Sequence, residues 1–350
     1  MSKQADSLIN SYFFKLKMKE KLIGMVKGKR VQICGHWDTD GVASAALMYH
    51  IVKTFALNIE TMTKGKPFLI EKEDILEDTE VVICTDIAAS TELLDLPIKI
   101  IYIDHHPNED ADKFHLTIHD PSKQSNTLLI YENFLQGTKD PYLIFLTLMG
   151  YFGDGGNRED IPPELHITAN EVIPEMMEKR NSYFTDGYYL EIEKYVSALN
   201  TGKRLHWCGD IPLELLKCID CYKPFVNNLH PLALELQGYK QILKDRYNQE
   251  VKIESTSRID YIIIEDEYNV QGVIAARHIK DKPIMVMNLY QEEIIGSLRV
   301  PEDSDFDAGE FLSSFNDKIE GFIGGGHEKA GGFTLYRDTL HKFIELLKQA

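Results

Sequence analysis

The chain has 350 residues, 43% hydrophobic and 27% charged, with 55 acidic against 38 basic side chains and a net charge of −17. That length suits about two domains, and no segment approaches the roughly 18 consecutive apolar residues of a membrane span, so a cytoplasmic protein without membrane contact is expected. The acidic excess argues against tight, non-specific tracking of duplex phosphates, which calls for a basic surface; a short single-stranded or small phosphorylated partner fits better.

From Ser2 to Lys27 lysines alternate with Leu8, Phe13, Leu16, Leu22 and Ile23. Without an unbroken apolar centre or a small-residue cleavage site, this reads as a surface helix rather than a secretory signal. Val31-Gln32-Ile33-Cys34 is an apolar strand running into Gly35-His36-Trp37-Asp38-Thr39-Asp40-Gly41. A helix over 42–55 follows, with Gly41 permitting the tight turn. Residues 64–79 are polar and predict a loop with a short helix. The strand from Val81 to Thr85 ends in Asp86, and the strand over 99–103 ends in Asp104-His105-His106. A short strand at 116–118 stops at Asp120-Pro121. Ser125-Asn126-Thr127 caps a helix through Leu135, and a helix over 142–152 finishes in Gly153-Asp154-Gly155-Gly156-Asn157. This alternation predicts an α/β fold with a doubly wound parallel sheet.

Residues 162–252 read as helical, without strands. Strand character returns at 259–264, 284–289 and 293–300, with a helix near 270–278. Ile323-Gly324-Gly325-Gly326-His327 precedes a strand at 332–336, and a helix closes the chain. The organisation expected is a first domain over 1–195 with its leading helix, a helical connector over 196–250, and a smaller mixed α/β domain over 251–350. The five cysteines are odd in number and form no disulfide framework. Cys34 and Cys84 sit in apolar strands as small hydrophobes. Cys208, Cys218 and Cys221, with His206 nearby, could make a zinc ligand set, but the spacing is irregular with a single Cys-x-x-Cys pair, and ordinary thiols are the stronger reading.

Three apolar strands tipped by Asp or His place those tips along one carboxyl edge of a parallel sheet, where ligands bind. If the first segment stays extended, His36, Asp38 and Asp40 point the same way. Together with Asp86, Asp104, His105 and Asp154 they form an oxygen-rich set with imidazoles. Such a set suits two Mn²⁺ ions, with Mg²⁺, Co²⁺ or Fe²⁺ as alternatives. One shared carboxylate usually holds two such ions about 3.5–4 Å apart, where they acidify a water and aim it in line at phosphorus. The chemistry expected is hydrolysis of a phosphoester or phosphoanhydride.

In this order the residues resemble the DHH phosphoesterase superfamily, in particular its RecJ-like and nanoRNase-like branch. His36-x-Asp38-x-Asp40-Gly41 is similar to its first motif, Asp86 to its second, Asp104-His105-His106 to the motif that names it, and Asp154 to its fourth. The C-terminal third resembles the DHHA1 module. Gly272-Val273-Ile274-Ala275-Ala276-Arg277 is similar to its opening helix and Gly296-Ser297-Leu298-Arg299 to its arginine strand. Gly324-Gly325-Gly326-His327-x-x-Ala330-Gly331-Gly332-Phe333 matches its glycine-rich signature. The likeness covers roughly 31–157 and 255–336.

The resemblance implies that His36, Asp38 and Asp86 hold one ion and that Asp40, Asp86, His105 and Asp154 hold the other. Asp104 would orient His105 through its second ring nitrogen, and His106 would face the substrate phosphate or the metal-bound water. Ser297 and Arg299 would grip a phosphate, the arginine bidentately. The amides of Gly324, Gly325 and Gly326, near a helix start, would cradle an anion, and His327 would reach the scissile phosphate. The implied activity is that of a Mn²⁺-dependent phosphodiesterase or exonuclease on single-stranded DNA or RNA or short oligonucleotides. Alternatives are a small-molecule phosphoesterase acting on pAp or cyclic dinucleotides, an exopolyphosphatase, and a non-enzymatic CDC45-like replication scaffold. The helical segment over 162–252 offers a docking face for a second copy or a replication or repair partner. Tyr290, Tyr336, Phe322 and Phe333 are stacking candidates, although at strand positions core packing is the stronger reading.

Overall fold

The computed structural model describes residues 3–181, 187–290 and 292–349, with side chains from residue 15. Leu8 and Phe13 therefore lie outside the described side chains, although the helix α1 (Lys3–Val26) that carries them is formed. The chain divides at residue 240 into two compact units, 1–240 and 241–350.

In the first unit the strands are β1 (Arg30–His36), β2 (Asn58–Lys64), β3 (Leu69–Ile70), β4 (Val81–Thr85), β5 (Ala88–Ala89), β6 (Lys99–Asp104) and β7 (Leu116–His119). β1, β2, β4, β6 and β7 form one sheet in the order β2-β1-β4-β6-β7, parallel throughout. The β-branched runs alternate faces with the strand period. Ile33, Ile83, Ile101 and Ile103 pack into one core, whereas Cys34, Cys84, Ile100 and Tyr102 pack into another on the opposite face.

The first core is covered by α1, α2 (Thr39–Val52), α3 (Asn126–Ile130) and α4 (Pro141–Gly153). The second is covered by short 3-10 turns at 72–74, 91–95 and 111–113 and by the β3–β5 pair. The sequence is too polar between β2 and β7 on that side to supply long amphipathic helices. The expected loop over 64–79 thus carries a strand and a 3-10 turn, and Asn58–Lys64, to which the sequence pattern gives no element, is the edge strand β2. The helix expected through Leu135 is α3 followed by a single π turn over 131–135.

Beyond α4 come α5 (Pro163–Val172), a two-stranded antiparallel ribbon of β8 (Lys179–Asn181) and β9 (Tyr188–Leu190), and then α6 (Glu193–Leu199), α7 (Thr201–Leu205), α8 (Asp210–Cys218), α9 (Lys223–Val226) and α10 (Pro231–Tyr247). The ribbon corrects the all-helical reading of 162–252; three-residue strands fall below what periodicity resolves. Leu199, Leu213, Leu216, Phe225 and Leu236 pack into the core of the first unit.

The second unit is a mixed sheet in the order β10-β11-β12-β13-β15-β14. Its strands are β10 (Ile253–Ser255), β11 (Asp260–Ile264), β12 (Ile284–Asn288), β13 (Glu293–Arg299), β14 (Ile323–Gly326) and β15 (Ala330–Tyr336). Only β11 and β12 run parallel. The helices are α11 (Gln271–His278), α12 (Ala308–Ser313) and α13 (Leu340–Gln349). Phe322 and Phe333 stack at 5.2 Å among Phe315 and Phe343 and are core, while Tyr290 and Tyr336 are half-exposed. No helix among the described residues is long and apolar enough to cross a membrane.

Two glycines let backbone elements approach at the carboxyl edge of the parallel sheet. A Cβ at Gly41 would lie 2.4 Å from the carbonyl oxygen of His36, and one at Gly150 would lie 2.3 Å from Asp40 Oδ1. Gly41 is thus needed inside the first turn of α2 for close packing, not for a turn before it. Gly150→Ala forces apart α4, α3 and Asp40, so a loss of about 1–3 kcal/mol of stability is expected, as for other overpacked sites. Thermal melting of the metal-free protein measures it; an unchanged melting temperature contradicts the packing described.

Candidate metal centre

The chain enters the sheet at β1, turns to β2 on one side, and returns to β4 on the other. This reversal leaves a crevice at the carboxyl ends of β1 and β4, the place where open parallel sheets bind ligands. His36 ends β1, Asp86 follows β4 directly, and Asp104 ends β6. Asp86 adopts φ 60°, a left-handed conformation that costs a non-glycine residue of order 1–3 kcal/mol and concentrates at functional sites. Its amide is held by the carbonyl of Ile103 at 3.0 Å.

The extended geometry expected for 36–40 stops at His36. Asp38 is instead the N-cap of α2, its Oδ1 accepting from the Gly41 amide at 3.2 Å, and Asp40 lies in the first helical turn. Capping turns both carboxylates inward, so they converge even though the backbone is no longer extended. Asp40 is fully buried and accepts from the amides of Asn126 (2.6 Å) and Thr127 (3.1 Å) at the start of α3. Asp154 caps the carboxyl end of α4.

Three ligand groups result, with the ligand atoms in each lying within 4.8 Å of one another: His36, Asp38 and Asp86; Asp40, Asp86, His105 and Asp154; and Asp86, His105 and His106. Asp86 belongs to all three. His105 Nε2 lies 3.1 Å from Asp154, 3.3 Å from Asp86 and 3.8 Å from Asp40. His36 Nδ1 lies 3.0 Å from Asp38 and 3.7 Å from Asp86. Yet His36 Nδ1, Asp86 Oδ1 and His105 Nε2 are buried without any hydrogen bond of acceptable geometry. Buried polar atoms are ordinarily satisfied. Three orphans converging from two imidazoles and one carboxylate fit divalent cations taking N and O donors.

Asp104 corrects one assignment. It accepts from Nδ1 of His106 at 2.9 Å, from the His106 amide at 3.2 Å and from the Tyr102 hydroxyl at 2.7 Å. The second nitrogen of His105 bonds the Lys123 carbonyl at 3.1 Å instead. The physical reason is local: the chain bends after β6, so the buried carboxylate meets the ring two residues on rather than its neighbour. His105 Nδ1 therefore carries the proton and leaves Nε2 facing the carboxylates.

Electrostatics report the crowding. Burial, with Asp86 and Asp154 nearby, pushes Asp40 well above the usual carboxylate range, and burial with Asp86 and Asp38 raises Asp154. Burial opposes ionised Asp38, but His36 and Lys203 outweigh it and hold Asp38 well below that range. Burial likewise opposes charged imidazoles, yet Asp38 and Asp86 push His36 up to about 10, and Asp154 and Asp86 push His105 up to about 12. His106 is raised mainly by its bond to Asp104.

Sequence reasoning missed Lys203 in α7, whose Nζ lies 3.5 Å from Asp38 Oδ2 and whose pKa burial lowers. No local motif marks it; only the packing of α7 brings it to this edge. Among the described residues no ligand group includes a cysteine. In the second unit, Arg299 is half-buried, partial burial lowers its pKa, and among the described residues of that unit no carboxylate lies within ion-pair distance. Gly272 opens α11 against Arg299 and Ser297, where its Cβ would lie 3.5 Å from each side chain. Gly324, Gly325 and Gly326 form the edge strand β14, and the Gly324 amide already donates to Asn316 Oδ1 at 2.8 Å. The expected cradle beside a helix start is therefore a hairpin strand, because the glycines pair with Gly331, Gly332 and Phe333 of β15. His327 is exposed at the tip of that hairpin.

A parallel α/β unit with carboxylates and imidazoles at its topological switch, followed by a mixed-sheet unit with a half-buried arginine, defines a metal-binding two-unit protein. Residues 30–150 match the DHH family N-terminal domain and 267–350 match the DHHA1 domain; the chain belongs to the DHH–DHHA1 phosphoesterase superfamily. Members of that superfamily are metal-dependent phosphoesterases. No curated protein sequence matches the chain.

Among solved structures, RecJ from Thermus thermophilus in complex with Mn²⁺ superposes with a TM-score of 0.69 at 18% identity, covering 96% of this chain and 54% of that one. The chain thus spans about half the length of that RecJ. An exopolyphosphatase-related protein from Bacteroides fragilis superposes at 0.51 and 18% identity, covering 95% and 93%. CDC45 from Entamoeba histolytica superposes at 0.53 and 10% identity, covering 98% of each chain. These likenesses are of fold.

Metal binding must displace the protons that His36 and His105 hold in the metal-free site. With those groups raised to about 10 and about 12, the imidazoles are protonated across pH 6–8, and affinity should rise with pH by about tenfold per unit for each proton released. Calorimetric Mn²⁺ titration at pH 6, 7 and 8, in buffers of different ionisation enthalpy, reads both quantities. Affinity independent of pH contradicts the ligand set.

Proposed function

We propose that the chain is a Mn²⁺-dependent phosphodiesterase of the cytoplasm that removes nucleotides from single-stranded DNA or RNA or from short oligonucleotides. The observation that carries this reading is Asp86 standing in every ligand group at once, with its Oδ1 orphaned. A carboxylate so placed suits a pair of ions rather than one. His36, Asp38 and Asp86 would hold the first ion and Asp40, Asp86, His105 and Asp154 the second. When bound, such ions supply Lewis-acid activation of a water and stabilise charge on phosphoryl oxygens.

The chain's own residues do the rest. Asp104, buried and bonded also to Tyr102, holds Nδ1–H of His106 and leaves the other ring nitrogen for substrate. Because the same bond raises the His106 pKa, that imidazole is suited to deliver a proton to the departing oxygen. Lys203 neutralises Asp38 from the side away from His36. In the second unit we assign Ser297, Arg299, Gly325, Gly326 and His327 to substrate phosphates, and not Gly324, whose amide is taken by Asn316. Arg299, half-buried and with no carboxylate partner among the described residues of its unit, is an anion site in waiting.

The RecJ of like fold was solved with Mn²⁺ and with Mg²⁺, which supports either ion here. A net charge of −17 favours short strands over duplex. The scaffold alternative draws on the CDC45 likeness, but a scaffold has no use for four converging aspartates.

Asp86→Asn should abolish hydrolysis while the melting curve survives. Loss of several kcal/mol of charge stabilisation is about three orders of magnitude in rate. End-labelled 2-mer to 24-mer RNA and DNA, pAp, cyclic di-AMP and polyphosphate, each with Mn²⁺, test substrate class; turnover of polyphosphate alone would refute the nuclease reading. Arg299→Ala should raise KM about ten- to hundredfold, the worth of a charged hydrogen bond, with little change in kcat. An unchanged KM removes Arg299 from the phosphate site.

A further inference from the structure

Beside the metal ligands, within the first unit, lies a cavity of about 320 Å³. One wall is polar and belongs to the centre already described, with His36, Asp86 and His106; the other is apolar, with Phe68, Ile87 and Pro107. Phosphate chemistry alone makes no use of an apolar wall. Phe68 is its most unusual member. It adopts φ 62°, strained for a side chain of this size, and it remains 39% exposed. The turn that presents it is closed by a bond from the Phe68 amide to the Gly65 carbonyl at 2.8 Å. Gly65 lies flat on Trp37, where a Cβ would come 2.2 Å from the indole. Trp37 is buried, and Phe68 meets it edge-on at 6.1 Å and meets His36 edge-on at 5.2 Å. The ring is therefore fixed at the cavity mouth at the expense of backbone strain, next to a metal-ligand imidazole.

From this we infer that the cavity is a nucleobase site: the base of the nucleotide whose phosphate is at the metal ligands stacks on Phe68 against Ile87 and Pro107. The inference rests on the phosphodiesterase reading and narrows it to nucleoside-bearing substrates. A volume at the lower end of small-molecule pockets takes one base with its sugar, not a strand. The polar groups near the apolar wall are already engaged. Asn108 donates to the Tyr102 hydroxyl at 2.9 Å and accepts from the Asp110 amide at 2.9 Å, while that hydroxyl donates to Asp104. With those groups committed elsewhere, the base is held by its face rather than read by its edge, and stacking of this kind tolerates any base.

The test uses the full chain with Mn²⁺ and reads binding, independent of turnover, through the fluorescence of Trp37 and Trp207, whose rings lie 6.3 Å apart. AMP, CMP, GMP and UMP should bind within a few-fold of one another, and each about 5- to 150-fold tighter than ribose 5-phosphate, the range of one base–aromatic stack. Phe68→Gly, which relieves the left-handed strain and so keeps the fold, should erase that difference; Phe68→Trp should retain it. Equal affinity for ribose 5-phosphate and the nucleotides in the wild type, or a difference that survives in Phe68→Gly with an unchanged melting temperature, overturns the base site. If nucleotides bind as expected but no oligonucleotide is cut, the hydrolytic reading fails while the base site stands. If oligonucleotides are cut but base and abasic ligands bind alike, the reverse holds.

Discussion

Repulsion among carboxylates at one lip of a parallel sheet governs the first unit. Two unit charges 4 Å apart, at the effective dielectric found near protein sites, repel by about 4 kcal/mol, and Asp38, Asp40, Asp86 and Asp154 share the ligand groups at this lip. The metal-free protein answers with protons, which is why Asp40, Asp154, His36 and His105 all hold theirs to higher pH than usual. Divalent cations held by the same groups would answer the same need. The surrounding scaffold exists to keep the charges together against this repulsion: amides of α3 point at Asp40, Gly150 leaves room for it, and strain at Asp86 is tolerated to aim its side chain.

The two faces of the sheet divide the labour. Long helices cover one face and carry Asp38, Asp40 and Asp154 at their ends, so ligand positions follow from helix packing. Short turns cover the other face, which leaves space between Phe68, Ile87 and Pro107 beside the same metal ligands. The cavity thus joins a polar wall at the ends of strands, with His36 and Asp86, to an apolar one beside short turns.

The second unit poses the opposite problem, a half-buried cation that has no carboxylate within ion-pair distance among the described residues of that unit. Arg299 sits on β13 between the opening of α11 at Gly272 and the glycine-rich strands β14 and β15. The aromatic cluster of Phe315, Phe322, Phe333 and Phe343 provides the rigidity that glycine strands lack. Glycines let strands and helix approach closely, and phenylalanines fill the space behind them: a Cβ at Gly296 would lie 2.0 Å from the Phe333 ring.

Residue order alone determined the parallel sheet and the positions of its tips, because apolar β-branched runs that end abruptly in Asp or His have a strong period and few innocent uses. Of the set it proposed for metal, His36, Asp38, Asp40, Asp86, His105 and Asp154 stand in the ligand groups, whereas Asp104 does not and His106 does. It also marked the capping serine at 125 and the helix that ends at Asp154. Only tertiary packing decided that Asp38 and Asp40 converge from a helix cap rather than from an extended strand, that Asp104 serves His106 while His105 turns to the Lys123 carbonyl, and that Lys203 and Phe68 reach the same edge. Those facts depend on contacts between segments far apart in the chain and on backbone angles such as that of Asp86. No local pattern of residue types encodes either one.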